Sequence, residues 1–117
     1  MLSLTGKHKK LHHELMSFAG HIMYECAMRR QDAHSLTWGH FKQENHITDD
    51  GYDLKFYCKK TGITRIVCIH KKLHQWALKL YNLCSKGSPI PYDNKIFTQI
   101  ELESFAKSLT KFVRSHD

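Results

Sequence analysis

The chain has 117 residues, which is close to the commonest length of one domain and too short for two ordinary ones. Hydrophobic residues make up 41% of the chain and charged residues 25%, a globular composition that excludes a wholly disordered protein. The net charge of +7 favours an anionic partner. We therefore expect a single domain over residues 1–117.

Membrane insertion and secretion are not expected. No apolar run approaches the roughly 20 residues that cross a bilayer, and the N-terminal MLSLTGKHKK has no apolar segment of signal-peptide length after its charges. The four cysteines lie among apolar neighbours and lack the close pairing of disulfide scaffolds. The sequence thus predicts a cytoplasmic protein with reduced, buried thiols.

The N-terminal part is predicted to be helical over residues 8–30. Apolar side chains recur there at three- and four-residue steps, as in one face of a helix: Leu11, Leu15, Phe18, Ile22 and Cys26. The segment 31–52 is polar, and Ser35 or Thr37 is expected to cap a short helix that reaches about residue 43. We expect Trp38 and Phe41 to hold this segment on the core.

A β-hairpin is predicted next. Residues 53–59 and 63–69 alternate in polarity and flank Lys60-Thr61-Gly62, which suits a three-residue loop with glycine in the left-handed conformation. Pairing of Lys59 with Ile63 would place one set of side chains on a common face: Leu54, Phe56, Cys58, Thr64, Ile66 and Cys68. The opposite face would then hold Lys55, Tyr57, Lys59, Ile63, Arg65, Val67 and Ile69.

Two further helices are predicted. Residues 70–86 carry an apolar stripe from Leu73 to Cys84 and precede Gly87, which is suited to a helix stop. Thr98-Gln99-Ile100-Glu101 matches a capping box before a last amphipathic helix. The predicted fold class is α+β, a single domain with a long N-terminal helix, a short helix, a β-hairpin and two further helices.

The positive charge is concentrated in one segment. Residues 53–86 contain eight Lys or Arg side chains and one Asp, which gives a local charge of +7, equal to that of the whole chain. A concentrated positive field attracts polyanions, most often nucleic acid. We therefore expect a nucleic-acid-binding surface formed by the hairpin tip and the following helix.

The residues predicted to contact nucleic acid supply cations, hydroxyl groups and one amide. They are Lys59, Lys60, Thr61, Thr64, Arg65, Lys71, Lys72, Gln75 and Lys79. The hairpin tip would contact the phosphate backbone like a wing, and Gln75 is suited to an adenine edge if its helix enters a major groove. The prediction is a non-enzymatic, regulatory protein that binds DNA more readily than RNA.

Three alternatives stay open from the sequence. A divergent winged-helix arrangement would use residues 36–44 as recognition helix, although only one clear helix precedes them and the region 44–53 is acidic. An interaction module or inhibitor would dock the basic face on an acidic protein. A metal-free ribonuclease would place Tyr57, Lys59, Arg65 and His70 around a phosphate. A homodimer through leftover apolar residues of the hairpin is a further possibility.

A zinc site in this segment is not predicted. Cys58, Cys68, His70 and His74 contain a H-x3-H spacing, but in the expected register the two cysteines lie about 13 Å apart along the hairpin. Two thiolates on one zinc ion lie roughly 4 Å apart. The chain also has no P-loop, dinucleotide fingerprint or nucleophile elbow. We expect no metal and no cofactor.

Overall fold

Helix α1, Gly6–Cys26, is the longest element of the computed structural model, which describes residues 6–97 and side chains from Lys10 onwards. The predicted stripe is confirmed, since Leu15, Phe18, Ile22 and Cys26 are buried and Leu11 packs against the same core. The predicted last helix after Thr98 lies outside the described residues.

Helix α1 ends four residues earlier than predicted. Ala27 takes the left-handed conformation, with φ 49°, and the Met28 N–H donates to the Met23 carbonyl at 2.9 Å. This is the Schellman arrangement, in which a left-handed residue closes the helix. The sequence does not predict this helix end, because the glycine that usually takes the left-handed position is absent. A separate five-residue helix, α2, then runs over Arg30–His34.

The short helix predicted to reach about residue 43 is present as a 3-10 helix with Thr37 as its N-cap, and a second 3-10 helix follows it. The first 3-10 helix is Trp38–Phe41 and the second is Glu44–His46. Trp38 and Phe41 are buried as predicted. The Thr37 N–H donates to His40 Nδ1 at 3.0 Å, so His40 occupies the position that Glu or Gln takes in a capping box.

His40 makes the stability of this segment dependent on pH. Burial lowers the pKa of His40 below its ordinary value of 6.5, against a smaller opposing contribution from the Thr37 backbone. The unfolded chain therefore takes up the proton first as pH falls, and the free energy of unfolding decreases below about pH 6.5. His40→Gln keeps the capping acceptor but does not titrate.

We expect urea titrations at pH 7.5 and 5.5 to show a smaller loss of stability for His40→Gln than for the wild type. The difference between the stability losses of the two proteins measures the contribution of His40, because both proteins contain the other nine histidines. An equal loss in both proteins would show that His40 does not couple to folding.

The hairpin is confirmed, with its register moved by one residue. Strands β1, Tyr52–Cys58, and β2, Ile63–Ile69, are antiparallel, and Cys58 pairs with Ile63 around a four-residue loop. The predicted pairing of Lys59 with Ile63 is wrong. The Lys59 N–H instead donates to Asp32 Oδ1 at 3.2 Å, which takes Lys59 out of the ladder.

This shift changes which side chains of β2 share a face with the buried side chains of β1. The face of Leu54, Phe56 and Cys58, which we call the inner face, also carries Ile63, Arg65, Val67 and Ile69 of β2, of which Ile69 is buried, Val67 is half-buried and Ile63 and Arg65 are exposed. Ile66 and Cys68, predicted to share the face of Leu54, lie on the opposite, outward face, and Ile66 is 63% exposed. A one-residue slip has this effect because side chains alternate between the faces of a strand.

Helix α3, Lys71–Ser85, follows β2 after a single residue and packs mainly on α1 and the first 3-10 helix. Leu73, Ala77 and Leu80 are buried, and the helix stops at left-handed Lys86 and Gly87 as the glycine predicted. The described residues thus form one compact α+β domain of helices and a two-stranded antiparallel sheet. Within residues 6–97, no helix is both long and apolar enough to cross a membrane.

Candidate nucleic-acid interface

A basic row runs along the solvent side of α3. Lys71, Lys72, Gln75 and Lys79 are all exposed, whereas the opposite side of the helix is buried. At about 100° of rotation per residue, these four positions fall within an arc of about 100° around the helix axis. The structure therefore brings together the four predicted residues of this helix, which we call the α3 row.

The helix that carries the α3 row is fixed to the rest of the domain by hydrogen bonds of two histidines. The His70 N–H donates to Glu25 Oε1 of α1 at 3.1 Å, and His70 Nδ1 accepts from the Lys72 N–H at 3.1 Å as the N-cap. One turn further, buried His74 bonds through Nε2 to the Phe41 carbonyl at 2.8 Å, and its ring stacks on Tyr52 at 4.0 Å. The backbone of the row therefore needs little ordering when a ligand binds.

No described carboxylate neutralises the α3 row. In the part of the chain that the structure describes, none of its lysines forms an ion pair within 4 Å. Glu25 of α1 accepts a hydrogen bond from the backbone of His70 at the start of the helix. The ammonium groups are therefore exposed to solvent and able to meet an external anion.

The hairpin tip forms a second basic cluster. Lys59, Lys60 and Thr61 are exposed in the loop between the strands, and Gly62 closes the loop at φ 69° with its N–H on the Cys58 carbonyl at 2.8 Å. The buried carboxylate of Asp32 fixes the loop by accepting a hydrogen bond from the Lys59 N–H. The backbone of the tip is thus fixed, while its two lysine side chains extend into solvent.

Thr64 and Arg65, also predicted for the interface, lie on opposite faces of β2. Thr64 pairs with Tyr57 on the outward face. Arg65 is on the inner face, with its guanidinium 5.5 Å from the centre of the Phe56 ring. Of these two residues, only Thr64 lies on the outward face of the hairpin.

Arg65 also lies close enough to α1 to affect a buried thiol there. Burial raises the pKa of Cys26 to about 12, Glu25 adds to the rise, and Arg65 opposes it. Cys26 is therefore a neutral thiol at physiological pH and is not a nucleophile. All four cysteines are unpaired, but the prediction that all are buried is wrong for Cys68, which is exposed, and holds only in part for Cys84, which is half-buried.

The two basic clusters lie at opposite ends of β2. Ile63 follows the tip and Ile69 precedes α3, so six residue steps separate them, or about 20 Å at 3.3 Å per residue. Phosphates of one DNA strand are spaced about 3.4 Å along the duplex axis, so this distance, measured along the axis, spans roughly six of them. The predicted residues thus form two separate clusters, with Arg65 apart from both.

The alternative sites do not assemble. A ribonuclease centre needs Tyr57 and Arg65 on one face, but the observed register places them on opposite faces. Cys58 and Cys68 also lie on opposite faces, about 16 Å apart along the strands, and His74 is engaged with Phe41 and Tyr52. Among the described residues, no group of three His, Cys, Asp or Glu side chains is placed to hold a metal ion.

The predicted recognition helix of the winged-helix alternative is replaced by the four-residue 3-10 helix. Its polar side chains are used within the domain. His40 bonds to Thr37, and Gln43 Nε2 donates to the Gly39 carbonyl at 3.1 Å. Lys42 lies over the ring of Tyr81. We therefore assign no groove-reading role to this segment.

The sequence does not predict a cluster of two tyrosines and one lysine that lies beside α3. Lys42, Tyr81 and Tyr92 come together from three distant parts of the chain, on the side of α3 next to the first 3-10 helix. No spacing rule connects positions 42, 81 and 92, because the fold alone brings them together. The α3 row, in contrast, is visible in the sequence as a helical pattern of lysines.

Comparison of the chain with protein-family models, curated proteins and solved structures found no match. Its function is therefore inferred from its own side chains.

Proposed function

We propose that this protein is a small, cytoplasmic, non-enzymatic protein that binds the phosphate backbone of DNA through the α3 row and the hairpin tip. The observation that supports the proposal most is the α3 row itself. It presents exposed lysines along one side of a rigid helix, with no described carboxylate paired to them. Clustered lysines of this kind bind phosphate chains by releasing condensed counterions.

The two clusters have different roles in the proposal. The α3 row supplies positive charge along a helix, and Gln75 at its centre offers an amide to a base edge. The hairpin tip supplies two lysines and the Thr61 hydroxyl about 20 Å away, which contact phosphates further along the same duplex. Binding is therefore expected to be strongly salt-dependent and only weakly sequence-selective.

The test is a fluorescence-anisotropy titration of a labelled mixed-sequence duplex at several salt concentrations. We expect affinity to fall steeply as salt is raised. Lys59→Ala combined with Lys60→Ala should reduce the slope of log K against log salt by about 1.8, or 0.9 for each phosphate that the variant no longer neutralises. Absence of binding at low salt would reject the proposal.

An acidic partner protein is a second candidate, and the outward face of the hairpin favours it. Tyr57 and Ile66 are large apolar side chains exposed on that face, which is unusual for a surface that only meets phosphates. In this case a defined acidic protein should bind after nuclease treatment, and Ile66→Ser should weaken the complex. Loss of all binding on nuclease treatment would exclude this candidate.

A further inference from the structure

The group of aromatic rings beside α3 is a rigid, partly open platform. Tyr81 donates its hydroxyl to the Ile90 carbonyl at 3.0 Å, and its ring meets buried Trp38 edge-on at 5.4 Å. Tyr92 packs edge-on against Tyr81 at 5.9 Å. Since Tyr81 is held at both its hydroxyl and its ring, it gives Tyr92 a fixed support.

Tyr92 is held by its backbone while its side chain faces solvent. The Gly39 N–H donates to the Tyr92 carbonyl at 2.7 Å, and a Cβ at position 39 would approach that oxygen to 3.0 Å, so the close contact favours glycine. The Tyr92 side chain is nevertheless 54% exposed. An aromatic ring on a fixed backbone offers stacking area at little entropic cost.

A lysine completes the platform. Lys42 Nζ lies 4.3 Å from the centre of the Tyr81 ring and 5.7 Å from that of Tyr92. It forms no ion pair within the described residues. Asp93 and Lys95 near Tyr92 in the chain carry opposite charges, and Lys42 is the cation that lies over both rings. A cationic ligand would be repelled by Lys42, whereas an anion with a flat ring fits both groups.

We propose that Lys42, Tyr81 and Tyr92 form a binding site for an unpaired nucleotide, whose base stacks on Tyr92 while its phosphate contacts Lys42. Base stacking on an aromatic side chain tolerates any sequence and needs an exposed base face, which single strands offer and duplexes do not. This inference rests on the proposed function and adds single-stranded nucleic acid to the ligands of the protein.

The site lies on a different side of α3 from the α3 row. Tyr81 follows Lys79 by two residues along α3 but lies about 160° around the helix from it. A single strand on the platform and a duplex on the α3 row would therefore bind at separate surfaces of the protein.

The test compares binding of a labelled 12-nucleotide oligo(dT) strand and a 12-base-pair duplex by fluorescence anisotropy. Tyr92→Ala should lower the affinity for the single strand about tenfold or more and change duplex affinity less than twofold. Lys42→Met should reduce the salt slope for the single strand by about 0.7, the value for one phosphate. Tyr24→Ala on α1 is the matched control, since Tyr24 is also a highly exposed tyrosine.

The outcomes separate this inference from the proposed function. If the wild type binds both ligands and Tyr92→Ala weakens both equally or neither, the platform is not a stacking site although DNA binding stands. The same conclusion follows if Tyr24→Ala has the effect expected of Tyr92→Ala. If the wild type binds neither ligand at low salt, both proposals are overturned. Far-ultraviolet circular dichroism of each variant checks that the fold is retained.

Discussion

Replacing Lys71, Lys72 and Lys79 together by alanine is expected to weaken duplex binding about 500-fold at 0.1 M salt. Each phosphate contact contributes about 0.9 to the slope of log K against log salt. If the contribution of the contacts is taken as zero at 1 M salt, three contacts raise the binding constant at 0.1 M salt by about 2.7 decades, and their removal loses that amount. The side chains are exposed, and alanine is the best helix former, so α3 should stay folded. Anisotropy titrations measure the effect.

The matched control removes the same charge from other surfaces. Lys10, Arg30 and Lys55 are exposed cations on α1, α2 and β1, outside the α3 row and the hairpin tip. Their combined replacement by alanine should lower affinity much less, because it reduces only the general positive field. Equal losses in the two triple variants would mean that net charge, and not the α3 row, determines binding.

Phe18→Ala is expected to reduce the free energy of unfolding by about 3–5 kcal/mol, which is the usual range for a buried phenylalanine. Phe18 is fully buried, with its ring 5.6 Å from Phe41, 5.3 Å from Trp76 and 6.2 Å from Phe97. It thus connects α1 to the first 3-10 helix, α3 and the end of the described chain. Domains of this size have only about 5–15 kcal/mol of stability, so the loss is severe.

Urea denaturation followed by circular dichroism measures this loss. Tyr24→Ala on the same helix is the control, and it should change stability by about 0.5 kcal/mol or less because the side chain is 77% exposed. A loss in Phe18→Ala no larger than that of the control would contradict the packing described for α1.

The elements could be predicted because their signals are local. The stripe of α1, the alternation of β1 and β2, and the glycine stop after α3 each depend on residues close in sequence. The register of the hairpin depends instead on Asp32, 27 residues before its partner Lys59. A local pattern cannot reveal that bond, so the predicted loop is one residue too short.

The candidate site likewise has one part that the sequence predicts and other parts that depend on the tertiary structure. The lysines of the α3 row are predicted by helical spacing, and the structure places them on one face. The grouping of Arg65 with the hairpin tip depends on register and distance, which the sequence does not supply. The site of Lys42, Tyr81 and Tyr92 depends entirely on tertiary packing. Surface charge along one element is therefore easier to predict than a surface assembled from several.

The most direct test of DNA binding through the α3 row and the hairpin tip is an NMR titration of the isotope-labelled protein with a short duplex, followed through backbone amide shifts. The largest shifts are predicted at residues 71–79, with a second group at 59–61. Shifts concentrated on the acidic segment 44–53 or on α1, or no shifts at equimolar duplex in low salt, would contradict this mode of binding.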